Sequence, residues 1–422
     1  MNLYRKNITT LVLGTGIAQL IPVLFSPLLT RLYSPESFGA FAMYISVSAL
    51  LAIFVGGRYE LAVVVPTRLD SARAMVQLCG GIALVTSIAV WLLFYMLEQL
   101  AYNPFGQSAE GGWYYFAPVG ALLMVWGQAL YYLNNREGVY PAIAQSKIAH
   151  SVVTVVVQSI IGWLLFGSAG LIYGYMLGQL TTIVVLMRAK GAVSPAPLAP
   201  FKKMRDIARE YSNFPRFLIL SHGLNAASAH APVLALSIIF GAKITGFYLL
   251  AQRVVGAPTT MISGAIGDVF RQEASEHYRL KGECKAVYLT ALKRLVIVST
   301  LPFLIAYFIA PYAFAFLFGE QWRVAGEYLQ LVLPMMYLRF ITSPLSAMFF
   351  IAEKQRVDLA LTSALITLVS CALMIGYSFD SPEIMLLSYS IVYCLIYLVG
   401  GWITYTIAKG QGVVNASPKN DQ

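Results

Sequence analysis

The chain predicts an all-α polytopic membrane protein of about twelve transmembrane helices, arranged as two six-helix lobes related by a pseudo-two-fold axis around a central cavity. Three observations lead there. Apolar runs of about 20 residues, each long enough to cross a bilayer, fill most of the sequence, which is 58% hydrophobic and only 11% charged. Lysine and arginine gather in every second gap between those runs, the positive-inside pattern. Two stretches in the first half recur in the second half with the same sidedness.

The runs centre near residues 20, 50, 84, 123, 155, 179, 227, 258, 304, 339, 367 and 396. Arg5 and Lys6 precede the first. Basic residues then follow each even-numbered run: Arg68 and Arg73; Arg136 and Lys147; the series from Arg188 through Lys190, Lys202, Lys203, Arg205 and Arg209 to Arg216; Arg271 through Arg294; Lys354 and Arg356; Lys409 and Lys419. Acids dominate the odd-numbered gaps, with Glu36, Glu98, Glu110, Glu320, Glu327, Asp380 and Glu383 against Arg31, Lys243 and Arg323. An even number of spans with this charge alternation places both termini in the cytoplasm of a multi-pass plasma-membrane protein.

The net charge of +10 sits in short loops beside spans, where it orients the chain and meets anionic lipid, so nucleic acid is not an expected partner. The first apolar run is too long for a cleavable leader and contains Gln19 and Pro22. Cys79, Cys371 and Cys394 fall inside spans and Cys284 in a loop, with no spacing that suits metal or redox chemistry. No phosphate-binding loop, zinc-protease, nucleophile-elbow or dinucleotide motif occurs. The longest external gap, Glu98 to Gly112, is about fifteen residues, little room for an active-site domain. No enzyme and no cofactor or metal is expected.

LTRLYSPESFGAFAMY from Leu29 aligns with LSIIFGAKITGFYLLA from Leu236, setting Gly39 on Gly246, and YYLNNREGVYPA from Tyr131 aligns with FFIAEKQRVDLA from Phe349. Six spans separate the copies, so the repeats run parallel and imply a two-fold axis along the membrane normal. The division is a lobe over 1–190, a linker over 191–212, a lobe over 213–408 and a tail over 409–422. The FKKMRDIARE stretch of the linker reads as a surface helix in the headgroup plane. Paired lobes of this kind work by alternating access.

Charged groups at membrane depth face protein or water-filled space, which singles out Arg58 and Glu60 in GGRYELAVVVP, Arg253 in the eighth span and Arg339 in the tenth. Arg58 and Glu60 are about 200° apart on a regular helix, so facing one cavity requires unwinding at Gly56 and Gly57. The alternative is snorkelling at the headgroups. Arg253 and Arg339 have no acid nearby in their own spans and want an anion from elsewhere, either a structural carboxylate or a substrate. Lys147, Ser151, Thr154 and Gln158 share a helix face, as do His222, Asn225 and Ser228, with His230 close by. Each stripe suits a wet wall, or a proton path at a histidine, and equally suits hydrogen bonding between helices. Gly170, Gly174 and Gly178 mark a close-packing face.

The chain resembles the O-antigen flippases, the polysaccharide-export branch of the multidrug, oligosaccharidyl-lipid and polysaccharide flippase superfamily. The resemblance lies in SPLLTRLYSPESFGAFAMYIS from Ser26, GGRYELAVVVP from Gly56, YSNFPRF from Tyr211, GFYLLAQRVVGAPTTMISGAIGDVFRQEASE from Gly246, LFGEQWRVAGEYLQLVLP from Leu317 and AEKQR from Ala352. It implies translocation of an undecaprenyl-diphosphate-linked oligosaccharide, an O-antigen repeat of lipopolysaccharide, from the cytoplasmic to the periplasmic leaflet of a bacterial inner membrane. It also implies a cationic cavity at Arg58 and Arg253 with Glu60, coupling to a proton or sodium gradient, and polysaccharide polymerase and chain-length proteins as partners. No acid of the eleventh span matches. Two rival readings stay open: a cation-coupled multidrug or lipid exporter of the same fold, and an integral-membrane polymerase or ligase.

Overall fold

The computed structural model describes residues 2–100, 112–165, 167–189 and 199–410, with side chains for all of these but 2–9 and 165. The charges expected at Arg5, Lys6, Glu110, Lys190 and Lys419, most of the 98–112 gap, the VSPAPL part of the linker and the tail beyond 410 lie outside that description. Every regular element among the described residues is helical. The first half runs α1 Asn2–Leu24, α2 Ser26–Leu32, α3 Pro35–Val55, α4 Leu69–Gln99, α5 Ala117–Arg136, α6 Tyr140–Leu165, α7 Ser168–Arg188 and α8 Phe201–Glu210. The second runs α9 Ile219–Phe240, α10 Ala242–Lys281, α11 Lys285–Phe318, α12 Arg323–Leu345, α13 Met348–Ile351, α14 Gln355–Ser378 and α15 Pro382–Ala408.

Eleven of the described helical segments are long and apolar enough to span a bilayer. The expected eighth span is α10, and it misses that class for a compositional reason. At 40 residues it has ample length, but Gln252, Arg253, Thr259, Thr260 and four glycines dilute its apolar character. α8 coincides with FKKMRDIARE.

Local chemistry sets the helix ends. Ser34 accepts the Ser37 amide at 3.3 Å ahead of Pro35, and Ser381 accepts the Ile384 amide at 3.2 Å ahead of Pro382. Both pair a hydroxyl cap with proline in the first turn, where no amide hydrogen is needed. Large apolar side chains point outward along the spans, Phe316 being 85% exposed and Trp402 69%, as lipid-facing helices require.

Contacts divide the chain into two compact units, Met1–Leu250 and Ala251–Gln422. The cut falls within α10, and α9 packs along α3. Within the first unit, Val55, Met75, Val125, Leu130, Ile183 and Leu186 form the core. In the second, Phe270, Tyr288, Leu295, Phe340 and Met348 do so. Gly170, Gly174 and Gly178 bring α7 onto α6: a Cβ at Gly174 would sit 2.9 Å from the Thr154 carbonyl oxygen.

The starts of α3 and α10 cross within the first unit at backbone contact. A Cβ on Gly39 would overlap the carbonyl oxygen of Ala242, and one on Gly246 would overlap that of Pro35. Under the alignment that sets Leu29 on Leu236, these two contacts exchange with one another. Lys243 Nζ lies 4.0 Å from Glu36 Oε1, and those positions are also equivalents. This reciprocity is the mark of an isologous contact about a two-fold axis.

Candidate functional site

α3 stops at Val55, and the chain then turns sharply. Thr86 of α4 donates its hydroxyl to the Val55 carbonyl at 3.0 Å, satisfying one of the acceptors a helix end leaves open. Gly57 and Arg58 both adopt left-handed conformations, with φ of 57° and 60°, and a six-residue 3-10 helix, Tyr59–Val64, follows. A non-glycine residue there costs about 1–2 kcal/mol, so tertiary contacts must hold it. Arg136 supplies some of them, donating to the carbonyls of Val63 at 3.4 Å and Thr67 at 2.9 Å. Tyr59 donates its hydroxyl to the Ala208 carbonyl of α8 at 2.9 Å.

This unwinding brings together what a regular helix would hold apart. Arg58 Nη1 lies 3.1 Å from Glu60 Oε1, the side chains being 15% and 1% exposed. Glu60 Oε2 and Arg58 Nε are buried with no hydrogen-bond partner among the described residues. Gly56 makes room for the acid, since a Cβ there would stand 2.9 Å from Oε2. His222 is half-buried and Asn225 exposed on α9, which begins from a π-helical turn, Phe214–Leu218. His230 is engaged in packing, its Nδ1 3.1 Å from Ser46 Oγ of α3.

The stripe on α6 faces other helices. Lys147 donates to Thr15 Oγ1 at 3.0 Å and lies 5.7 Å from the Tyr131 ring centre. Ser151 donates to the Ala18 carbonyl at 2.7 Å. Gln158 is fully buried, its side-chain amide donating from Nε2 to the Leu171 carbonyl at 2.8 Å while its backbone carbonyl accepts the Tyr33 hydroxyl at 2.6 Å. The wet-wall reading is therefore corrected to interhelical hydrogen bonding for Ser151 and Gln158, since periodicity identifies a face and not what lies across it.

In the second unit, α10 and α12 enclose a cavity of about 280 Å³ lined by Thr259, Ser263, Asp268, Arg271, Arg339 and Ser343, among others. Gly256 and Gly264 border it, and a Cβ at either would meet nothing within 4 Å. Asp268 is absent from the residues the sequence points to, and Arg271 figures there only as a loop charge. They join Arg339 because α10 continues as helix to Lys281 instead of ending near the bilayer edge. Arg253 stands one turn before Gly256, half-buried, its Nη1 enclosed and without a hydrogen-bond partner among the described residues. No group of three or more His, Cys, Asp or Glu suited to a metal occurs among the described residues.

The arrangement thus offers a buried Arg–Glu pair in one unit and, in the other, a small-residue cavity with two cations and one acid. Guanidinium groups in such surroundings bind anions through parallel donors.

The model of a family described as polysaccharide biosynthesis protein matches residues 28–327. The succinoglycan biosynthesis transport protein ExoT of Rhizobium meliloti (strain 1021) is 25% identical over 313 residues, covering 72% of this chain and 60% of that protein. Among solved structures, the lipid II flippase MurJ in an inward closed conformation is similar with a TM-score of 0.73 at 10% identity, over 94% of this chain and 89% of that one. An inward-facing multidrug resistance MATE family transporter of the MOP superfamily gives 0.63 at 16% identity, over 93% and 95%. The fold is that of these two-lobed membrane transporters.

Proposed function

The chain belongs to the polysaccharide biosynthesis protein family, and from that premise we propose that it flips a lipid-linked saccharide across the membrane. The finer reading is an undecaprenyl-diphosphate-linked O-antigen repeat, moved from the cytoplasmic to the periplasmic leaflet of a bacterial inner membrane by alternating access. Arg253 carries this reading: a guanidinium with an enclosed nitrogen that has no hydrogen-bond partner among the described residues is stabilised by an anion brought to it, and a diphosphate is such an anion. Arg58 and Arg339 are proposed as further cations along the path. The polar cavity beside Arg339 suits sugar hydroxyls, while a prenyl tail can stay in lipid. The curated relative is a transport protein for a polysaccharide pathway, which supports the substrate class, although the chain spans only 60% of its length.

Glu60 is the proposed proton carrier if transport is coupled to a proton gradient, because it is buried beside Arg58 with one oxygen unpartnered. His222, half-buried on α9, is a second candidate. Polymerase and chain-length proteins are proposed partners. A deletion strain tests the reading: single lipid-linked units should accumulate in the cytoplasmic leaflet. Accumulation of single units already in the periplasmic leaflet would indicate a polymerase instead. Normal surface polysaccharide with heightened sensitivity to cationic drugs would indicate an exporter.

A further inference from the structure

Beside α4 in the first unit runs a groove of about 440 Å³, bordered by α5, the end of α7 and α8. Its volume is in the roughly 300–1,000 Å³ range of small-ligand sites. The walls are apolar, with Leu84, Leu122, Trp126 and Leu130 among them, while Arg73 and Gln77 mark one end. From Arg73 to Leu84 the rise along α4 is about 16 Å, so the groove is long and polar at one extremity. Gly80 and Gly81 open its wall, and a Cβ on Gly81 would meet nothing within 4 Å. Leu84 is 50% and Trp126 37% exposed, so the apolar length opens sideways, toward the surroundings of the spans.

The polar end lies under α8. Met204 of that helix contributes to the groove and Ile207 is buried beneath it. Its remaining face carries four cations, Lys202, Lys203, Arg205 and Arg209, against two acids, Asp206 and Glu210. α8 is held in place, because Gln77 accepts the Ala199 amide at 2.7 Å and Ala208 accepts the Tyr59 hydroxyl at 2.9 Å. An apolar slot headed by a basic helix at the interface is the complement of one molecule class, an acyl chain attached to an anionic headgroup.

We infer that this groove binds an anionic phospholipid of the leaflet facing α8, with one acyl chain along α4 and the phosphate met by Arg73 and the basic residues of α8. The site shares no residue with the proposed transport path. Bound lipid would stabilise α8 against α4 and, through Tyr59, the turn that holds Arg58 and Glu60.

The test places the full chain in bilayers of phosphatidylcholine containing a small fraction of either phosphatidylglycerol or phosphatidylcholine with brominated acyl chains. The part of the tryptophan fluorescence lost in Trp126→Phe reports the groove. Brominated phosphatidylglycerol should quench that part at about fivefold lower mole fraction than brominated phosphatidylcholine, a preference equivalent to roughly 1 kcal/mol. Arg73→Gln should abolish the preference, and Gly81→Leu, which fits the open space, should prevent quenching by both lipids in a protein that remains monodisperse. Equal quenching by the two lipids, a preference that survives Arg73→Gln, or unchanged quenching in Gly81→Leu would overturn the inference. So would displacement of phosphatidylglycerol by equimolar polyprenyl phosphate, which would assign the groove to the carried lipid.

Discussion

Removing Arg58 should have two separable consequences, one for stability and one for transport. Glu60 is 1% exposed and its only hydrogen bond from a side chain among the described residues comes from Arg58 at 3.1 Å. Deleting one partner of a buried ion pair leaves an uncompensated charge and costs about 3–5 kcal/mol. Relief of the left-handed backbone in Arg58→Gly would return about 1 kcal/mol of that, but alanine offers no such relief. Arg58→Ala should therefore lower the melting temperature of the purified protein by roughly 5 °C or more. Glu60→Gln, which removes the charge and keeps an acceptor, should cost less. The double variant Arg58→Ala/Glu60→Gln should regain most of the stability lost in Arg58→Ala, since no buried charge remains unpaired. If Arg58 also meets a substrate anion, the double variant complements a flippase-deficient strain less well than Glu60→Gln alone, at equal membrane levels. Two results would refute this reasoning. A wild-type melting temperature for Arg58→Ala would show that the pair does not hold the turn. Complementation by the double variant equal to that of Glu60→Gln would show that Arg58 serves only to neutralise Glu60.

Gly39→Ala and Gly246→Ala should each destabilise the protein by about 1–3 kcal/mol, because the new methyl meets a carbonyl oxygen across the crossing. Gly256→Ala, with nothing within 4 Å, should be near neutral, and thermal melts of the three compare them directly. Burial and the neighbouring Glu283 push the Cys284 thiol up to about 11. Thiolate is the reactive form, so labelling of Cys284 by a water-soluble maleimide should be very slow at pH 7, rise about tenfold with each pH unit, and level off only near pH 11. Rapid labelling at pH 7 would contradict its placement against Met348. Reporter fusions after Lys190 and after Lys409 should both behave as cytoplasmic, and a periplasmic signal at either would sink the topology drawn from charge.

How far the sequence could be read depended on whether a feature is set locally or across helices. Span positions and α8 follow from hydropathy and periodicity, which act within one segment. The turn at Arg58 was foreshadowed by Gly56 and Gly57, yet its left-handed geometry depends on Thr86 and Arg136, residues far along the chain. Gln158 shows the opposite limit, since its spacing from Lys147 and Thr154 was visible while its partner, the Leu171 carbonyl, was not. Asp268 and Arg271 lie where the sequence shows only a loop charge at Arg271, because nothing in their neighbourhood signals a helix that outlasts the bilayer. The stop comes at Gly282, with φ of 70°.

The meeting of Glu36 with Lys243 says something about how such a chain can arise. In a dimer of identical half-length chains, the residue on the symmetry axis faces its own copy, and like charges there repel. A covalently joined pair escapes that restriction, because each copy mutates alone. An acid opposite a base at equivalent positions is closed to two identical chains and open to two halves whose sequences differ, as they do here. The glycines beside it keep the symmetric arrangement, Gly39 accommodating the backbone of Ala242 and Gly246 that of Pro35.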